Sequence, residues 1–271
     1  MKIALVQTRT PATPEAARDH VLPLVRQAAH GGAKLIATPE GTNILQKDQA
    51  KLLPLLRPLD EDVVVAALRD AAREFGVHLL VGSALVKRAD GKAANREALI
   101  APTGEIVATY DKLHMFDVDL PNGESARESA TYEPGDRAVV ADAGEARLGL
   151  TVCYDVRFPA LHRALALAGA QILTVPAAFT RPTGQAHWEI LLRARAIETG
   201  SYVIAPAQGG YHEDGRGTWG HSMVIAPWGE LIAQLDHDEP GVLFADLDLA
   251  AVDKARRAVP ALLNARPFEG P

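Results

Sequence analysis

The chain alternates short, β-branched apolar runs with longer stretches in which apolar residues recur three and four positions apart. "KIALVQ" (2–7) predicts a buried strand, and "TPEAARDHVLPLVRQAAH" (13–30) predicts a helix whose interior Pro23 should kink it. "KLIATPE" (34–40) is the next strand. "DEDVVVAALRDAAREFG" (60–76) opens with acids, which a helix N-terminus favours, and closes on Gly76, the residue type that ends helices. "VHLLVGSAL" (77–85), "REALIAP" (96–102) and "EIVATYDK" (105–112) read as strands, the last two joined through Pro102-Thr103-Gly104 as a hairpin.

The second half repeats the rhythm. "ARLGLTVC" (146–153) is a strand, Pro159 suits the first turn of the helix "PALHRALALAG", and "AQILTVPAAF" (170–179) is the strand that follows. "HWEILLRARAIETG" (187–200) is a helix, with Glu189 and Arg193 four apart and Gly200 at its end. "SYVIAPAQ", "HSMVIAP", "ELIAQL" and "GVLFADLD" are strands, with Trp228-Gly229 turning one hairpin. "LAAVDKARRAV" is a closing helix, and residues 260–271 read as an extended tail. This alternation implies an α/β fold, mixed sheets with helices packed on them. At 271 residues, one domain spanning 1–271 is expected, with a single large core.

Composition narrows the partners. With 48% hydrophobic and 23% charged residues, the chain has the make-up of an ordinary globular protein. A formal charge of −6 and no dense basic run argue against nucleic acid as the main partner. A lone cysteine forms no intramolecular disulfide, and the opening "MKIALVQTRT" lacks the pattern of a signal peptide, so a cytoplasmic location is expected. No apolar stretch reaches the ~18 residues of a membrane helix, so no membrane partner is expected. There is no GxGxxG after a strand, no P-loop and no HExxH, so no cofactor is expected. His212 and His221 share one Gly-rich segment, but their spacing is weak support for a metal, and none is expected.

The candidate chemistry starts at Cys153, where a strand should end and a helix begin, a turn that can present a side chain near a positive helix terminus. A lone cysteine is most often a small core residue. Here Tyr154, Asp155 and Arg157 follow directly, a polar set that fits poorly in an apolar core. A thiol is mostly protonated at neutral pH, so a cysteine nucleophile needs a base or a cation. Glu40, followed by Gly41, ends an apolar strand and could be that base; a solvated loop acid is the plain alternative. Lys112 also ends a strand and could meet an oxyanion, or it could be an ordinary surface lysine.

Together "PEG" around Glu40, "DKLH" around Lys112 and "CYDVRFP" around Cys153, in that order, resemble the nitrilase superfamily of carbon–nitrogen hydrolases. The resemblance runs nearly end to end and implies a four-layer α-β-β-α sandwich with a Cys-Glu-Lys site. It makes Cys153 the nucleophile, Glu40 the general base and Lys112 the oxyanion partner. It also implies a second glutamate, which "ARESATYEPGD" places at Glu128, with Glu124 and Glu133 as neighbours, and which would help hold the amine or water. "LPNGESARES" (120–129) departs from the family's spacing. "TGQAHWEILLRARAIET" and "GTWGHSMVIAPWGE" resemble the branch of deaminated glutathione amidases and omega-amidases.

The function this implies is a thiol-dependent amidase working through a thioester on a small amide that bears a carboxylate. The same site could serve an N-carbamoyl-amino-acid hydrolase or a true nitrilase, and a non-catalytic protein that keeps the fold is the remote alternative. The Tyr154 N–H is the expected second oxyanion donor. Arg157 is the candidate clamp for the substrate carboxylate, with an ion pair to Asp155 as its alternative. His187, His212 and Arg216 are further substrate-binding candidates, the last two in a loop (209–220) that could equally be solvated. The partner expected is a small-molecule amide, and the resemblance suggests a homodimer or larger homo-oligomer.

Overall fold

The computed structural model describes residues 1–120, 123 and 125–270. The chain opens with β1 (Lys2–Gln7), α1 (Pro14–His30) and β2 (Leu35–Ala37), followed by the short α2 (Gln49–Leu52) and α3 (Val63–Phe75). β3 (His78–Lys87), β4 (Ala93–Ile100) and β5 (Ile106–Asp111) form a meander. A two-stranded ribbon, β6 (Asp117–Asp119) with β7 (Ser125–Arg127), leads into β8 (Val139–Ala143) and β9 (Ala146–Leu150). Then come α4 (Pro159–Leu167), β10 (Ile172–Thr174), α5 (Arg181–Thr199) and β11 (Tyr202–Ala205). A second ribbon, β12 (Gly209–Tyr211) with β13 (Gly217–Trp219), precedes β14 (Met223–Ile225), β15 (Leu231–Gln234), β16 (Gly241–Asp246), α6 (Ala250–Ala258) and α7 (Ala261–Asn264).

Two six-stranded mixed sheets result, ordered β16-β1-β2-β3-β4-β5 and β15-β14-β11-β10-β9-β8. The period-2 alternation of β1 shows how they stack: Ile3 and Leu5 join the cluster that also holds Leu148, Leu173 and Val203 of the second sheet, while Ala4 and Val6 pack with Val21, Val25 and Leu68 of α1 and α3. On the far side, Leu161 and Leu165 of α4 and Trp188, Leu192 and Ala196 of α5 cover the second sheet. The layers are therefore helix, sheet, sheet, helix, as the resemblance implied. No helix among the described residues is long and apolar enough to cross a membrane.

Local chemistry accounts for the boundaries. Asp62 caps α3 by accepting from Val64 N and Val65 N at 2.9 Å, and Gly76 ends it in the left-handed region at φ 63°. α1 runs through Pro23 as one helix. Three expectations are corrected. α5 begins at Arg181, six residues before His187, because Pro182 sits in its first turn and Gly184 is tolerated where a Cβ would strike Trp219. The tail is not wholly extended: α7 is one helical turn, held by Arg163 Nη2 donating to the Leu262 carbonyl at 2.8 Å. β2 stops at Ala37, so Glu40 lies in the loop beyond the strand rather than on it.

Candidate active site

The site is assembled from loops that leave the strands at one end of both sheets. Beyond β2, the Thr38-Pro39-Glu40 segment is pinned to β3, with Thr38 N donating to Leu80 O and Ser83 N to Pro39 O, both at 2.9 Å. Gly82 lies between this segment and Pro176, where a Cβ would come within 2.5 Å of Thr38 O and 2.6 Å of Pro176 Cβ. Pro176 O in turn accepts from Cys153 N at 2.9 Å. Lys112 directly follows β5 and is held by its N–H donating to Asn95 O at 2.9 Å.

Cys153 heads a single 3-10 turn, Cys153–Arg157, with a left-handed φ of 51° that is uncommon for a residue other than glycine. Asp155, fully buried, fixes that turn. Its Oδ2 accepts from Val152 N at 2.9 Å and from the Tyr110 hydroxyl at 2.7 Å. Its Oδ1 accepts from His114 N at 3.1 Å and lies 2.6 Å from His114 Nδ1. One carboxylate thus ties the turn carrying the thiol to the loop carrying Lys112. Asp155 is spent on these bonds, so the ion pair with Arg157 considered from sequence does not form.

Glu40 is 7% exposed and Lys112 2% exposed. Lys112 Nζ donates to Glu40 Oε1 at 3.0 Å and to both Glu128 oxygens at 2.9 and 2.8 Å. Asn95 Nδ2 donates to Glu40 Oε1 at 2.8 Å and to Glu128 Oε1 at 3.2 Å, while Ala178 N donates to Glu40 Oε2 at 2.9 Å. The Cys153 thiol lies within side-chain hydrogen-bonding reach of the Glu40 carboxylate. Burial works against an ionised Glu40, but the Lys112 ammonium and the converging donors outweigh it and hold the carboxyl below its usual range. Burial also opposes a charged Lys112, yet Glu128 and Glu40 keep its ammonium well above the ordinary lysine value. Burial, reinforced by the Glu40 charge, pushes the Cys153 thiol well up. The resting site is therefore thiol, carboxylate and ammonium.

Glu128 Oε2 also accepts from Phe116 N at 2.6 Å, so its oxygens are engaged by Lys112, Asn95 and backbone. Glu133 pairs instead with Lys92 at 2.5 Å, and Glu124 lies outside the described residues, as does part of the 120–129 segment.

A cavity of about 620 Å³ opens over this cluster, lined by Glu40, Lys112, Glu128, Cys153, Tyr154, Arg157 and Arg216 among others. A larger depression of about 780 Å³ lies elsewhere, around Arg96 and Asp111, which already close on each other at 2.6 and 2.8 Å; it contains neither the thiol nor Glu40. Among the described residues, the Tyr154 N–H has no backbone or side-chain acceptor. Arg157 is half-buried, stacked over the Tyr154 and Phe179 rings at 5.9 and 5.6 Å, and no carboxylate among the described residues pairs with it. His187 is exposed and stands behind Arg157, 3.2 Å from its Nη2, outside the cavity wall. His212 is not brought to the cavity: it is 6% exposed, bonded to Thr218 Oγ1 at 2.7 Å inside the β12–β13 ribbon, and burial pushes it down to about 4. Sequence reasoning missed Asn95. The signal was present: on β4, Asn95 shares the inward face with Leu99, and a polar residue facing a sandwich core needs partners. Among the described residues, no group of three or more His, Cys, Asp and Glu gathers as a metal ion would require.

The carbon–nitrogen hydrolase family model matches residues 2–257. A human protein named deaminated glutathione amidase is 43% identical over 251 residues, covering 90% of this chain and 76% of its own. The C. elegans NitFhit protein superposes with a TM-score of 0.91 at 34% identity, over 98% of this chain; this chain spans 65% of that longer one. An amidase from Nesterenkonia sp. AN1, solved with acrylamide added at its active site cysteine, superposes with a TM-score of 0.78 at 29% identity, covering 96% of this chain and 98% of its own. A buried thiol, carboxylate and ammonium in one cavity, within a chain matched from residue 2 to residue 257, place this protein in the carbon–nitrogen hydrolase family.

Proposed function

We propose that the chain is a thiol amidase that hydrolyses the linear amide of a small, carboxylate-bearing acid. The observation that carries this is the meeting of Cys153, Glu40 and Lys112 in one cavity whose wall also offers the guanidinium of Arg157, which no carboxylate among the described residues pairs with. Glu40, ionised at rest, takes the proton of Cys153 as the sulfur attacks the amide carbonyl carbon. The oxygen that becomes negative is met by the Lys112 ammonium and the Tyr154 N–H, each such donor worth roughly 3 to 4 kcal/mol of barrier. Protonated Glu40 gives its proton to the departing nitrogen, the C–N bond breaks, and a thioester remains on Cys153. Glu40 then deprotonates a water that attacks the thioester; the acid leaves, and the sulfur recovers the proton. Because burial disfavours a standing thiolate, proton removal and attack are coupled.

Glu128 and Asn95 act as positioning residues in this reading, holding Lys112 and Glu40. Arg157 receives the carboxylate of the acyl group, bidentate recognition being what a guanidinium does best. The human relative's name points to deaminated glutathione as substrate, and the amide of 2-oxoglutarate would present the same acyl group with ammonia leaving. The same reading takes the chain as one domain that acts in the cytoplasm as a homo-oligomer; the exposed Ile190 and Phe268 support the last point, and light scattering tests it. A panel of deaminated glutathione, 2-oxoglutaramate, an N-carbamoyl amino acid and a simple nitrile tests the chemistry. The expected result is turnover of the first two, dependent on Cys153; preferred turnover of the carbamoyl compound or the nitrile would replace the amidase assignment.

A further inference from the structure

The cavity's charge is opposite to the molecule's. Five cationic side chains line it, Lys47, Lys112, Arg127, Arg157 and Arg216, against two anionic ones, Glu40 and Glu128, in a chain of formal charge −6. Lys112 is taken up by the two glutamates, and Arg127 is turned to Asp119 at 2.8 Å. Arg157 stands beside the thiol turn. Lys47 and Arg216 remain, on different loops, and one buried residue joins them. Asp214, 1% exposed at its side chain, accepts from Lys47 N at 2.8 Å and from Arg216 N at 2.9 Å, and its Oδ2 lies 3.4 Å from Arg216 Nη2. The Lys47 ammonium rests against Gly215, 3.7 Å from where a Cβ would stand. No carboxylate among the described residues pairs with Lys47, and the Arg216 side chain keeps 31% of its surface open.

We infer that Lys47 and Arg216, braced by Asp214, form a second anion subsite that receives a carboxylate carried by the departing amine. This rests on the amidase reading and adds to it the class of leaving group. Arg157, on the thiol turn, and the Lys47–Arg216 pair, on the loops after β2 and within the β12–β13 ribbon, reach the same cavity from different elements. A substrate with an anionic group on each side of its scissile amide therefore meets both, whereas one that releases ammonia meets only Arg157. A bond from an ionised donor to a carboxylate is among the stronger polar contacts, so the leaving-side charge should matter about tenfold or more.

The test compares two amides with the same 2-oxoglutaryl acyl group, one whose leaving peptide ends in a free carboxylate and one whose peptide ends in a carboxamide. Wild-type enzyme should favour the carboxylate form about tenfold or more in kcat/KM, mainly through KM, and the preference should shrink as salt is raised. Lys47→Gln, at a side chain that bonds no group among the described residues, and Arg216→Gln should each lower this ratio, and the double variant should bring it near one. Arg157→Gln should depress both substrates and leave the ratio standing. Equal wild-type turnover of the two amides, or a ratio unmoved in the double variant, overturns the subsite while the amidase reading stands. No turnover of either amide overturns both.

Discussion

At the scale of single residues, the division of labour rests on electrostatics that can be measured. Glu40→Gln keeps the shape and the hydrogen bond to Asn95 but removes the base, so kcat should fall by roughly 10²- to 10⁴-fold with circular dichroism unchanged. The pH dependence has a definite sign. Glu40 is held below the usual carboxylate range, so its ionised form, and the stability it contributes, is present above that range and lost as pH falls through the lowered value. Lys112 is held above the usual lysine value, so its contribution is present below that value and lost only as pH rises through the raised one. The kcat/KM profile should therefore be flat from about pH 6 to pH 9; an acid limb centred near neutrality would contradict the account. The meeting of Cys153, Glu40 and Lys112 in one cavity was legible in the sequence because the resemblance carried by three short motifs names them together. Asn95 was not, because it lies one residue before the strand read from sequence. His212 does lie in the loop its Gly-rich neighbours suggested, between β12 and β13, but its bond to Thr218 on β13 holds it inward, and it is absent from the cavity lining.

At the scale of elements, catalysis depends on how tightly the loops converge. Asp155 joins the Cys153 turn to the Lys112 loop through Val152, Tyr110 and His114. Asp155→Ala leaves those donors without their acceptor and should lower stability by about 2 to 4 kcal/mol, read by urea unfolding, with kcat falling further than stability alone explains. Gly82 allows Thr38 and Pro176 to meet behind Glu40 and Cys153, so Gly82→Ala must push apart backbone and a proline ring. A loss of about 1 to 3 kcal/mol is expected, and thermal melting checks it. Longer periodic segments such as α1, α3, β1 and β16 were readable because one face repeats. The ribbons β6–β7 and β12–β13 were not, because their strands are three residues each and carry no period long enough to count. The first turn of α5 was hidden by Pro182 and Gly184, residues that usually interrupt helices and here begin one.

At the scale of the whole molecule, the two sheets bring together loops far apart in sequence: Glu40 after β2, Lys112 after β5, Cys153 after β9 and Ala178 after β10. Alternation of strands and helices indicated an α/β fold, but periodicity has no means of expressing that two sheets stack face to face; the motifs' resemblance supplied that expectation, and Ile3 packing in one cluster with Leu173 bears it out. In the proposed mechanism the sandwich matters because it leaves the thiol, carboxylate and ammonium nearly dry, so that a weakly basic carboxylate and a reluctant thiol would exchange a proton once a carbonyl arrives. The most direct test is to quench the enzyme with acid during turnover of deaminated glutathione and map the acyl group by peptide mass spectrometry. A 2-oxoglutaryl group on the peptide containing Cys153, absent from Cys153→Ala, is the predicted result; an acyl group on another residue, or undiminished turnover by Cys153→Ala, would contradict the account.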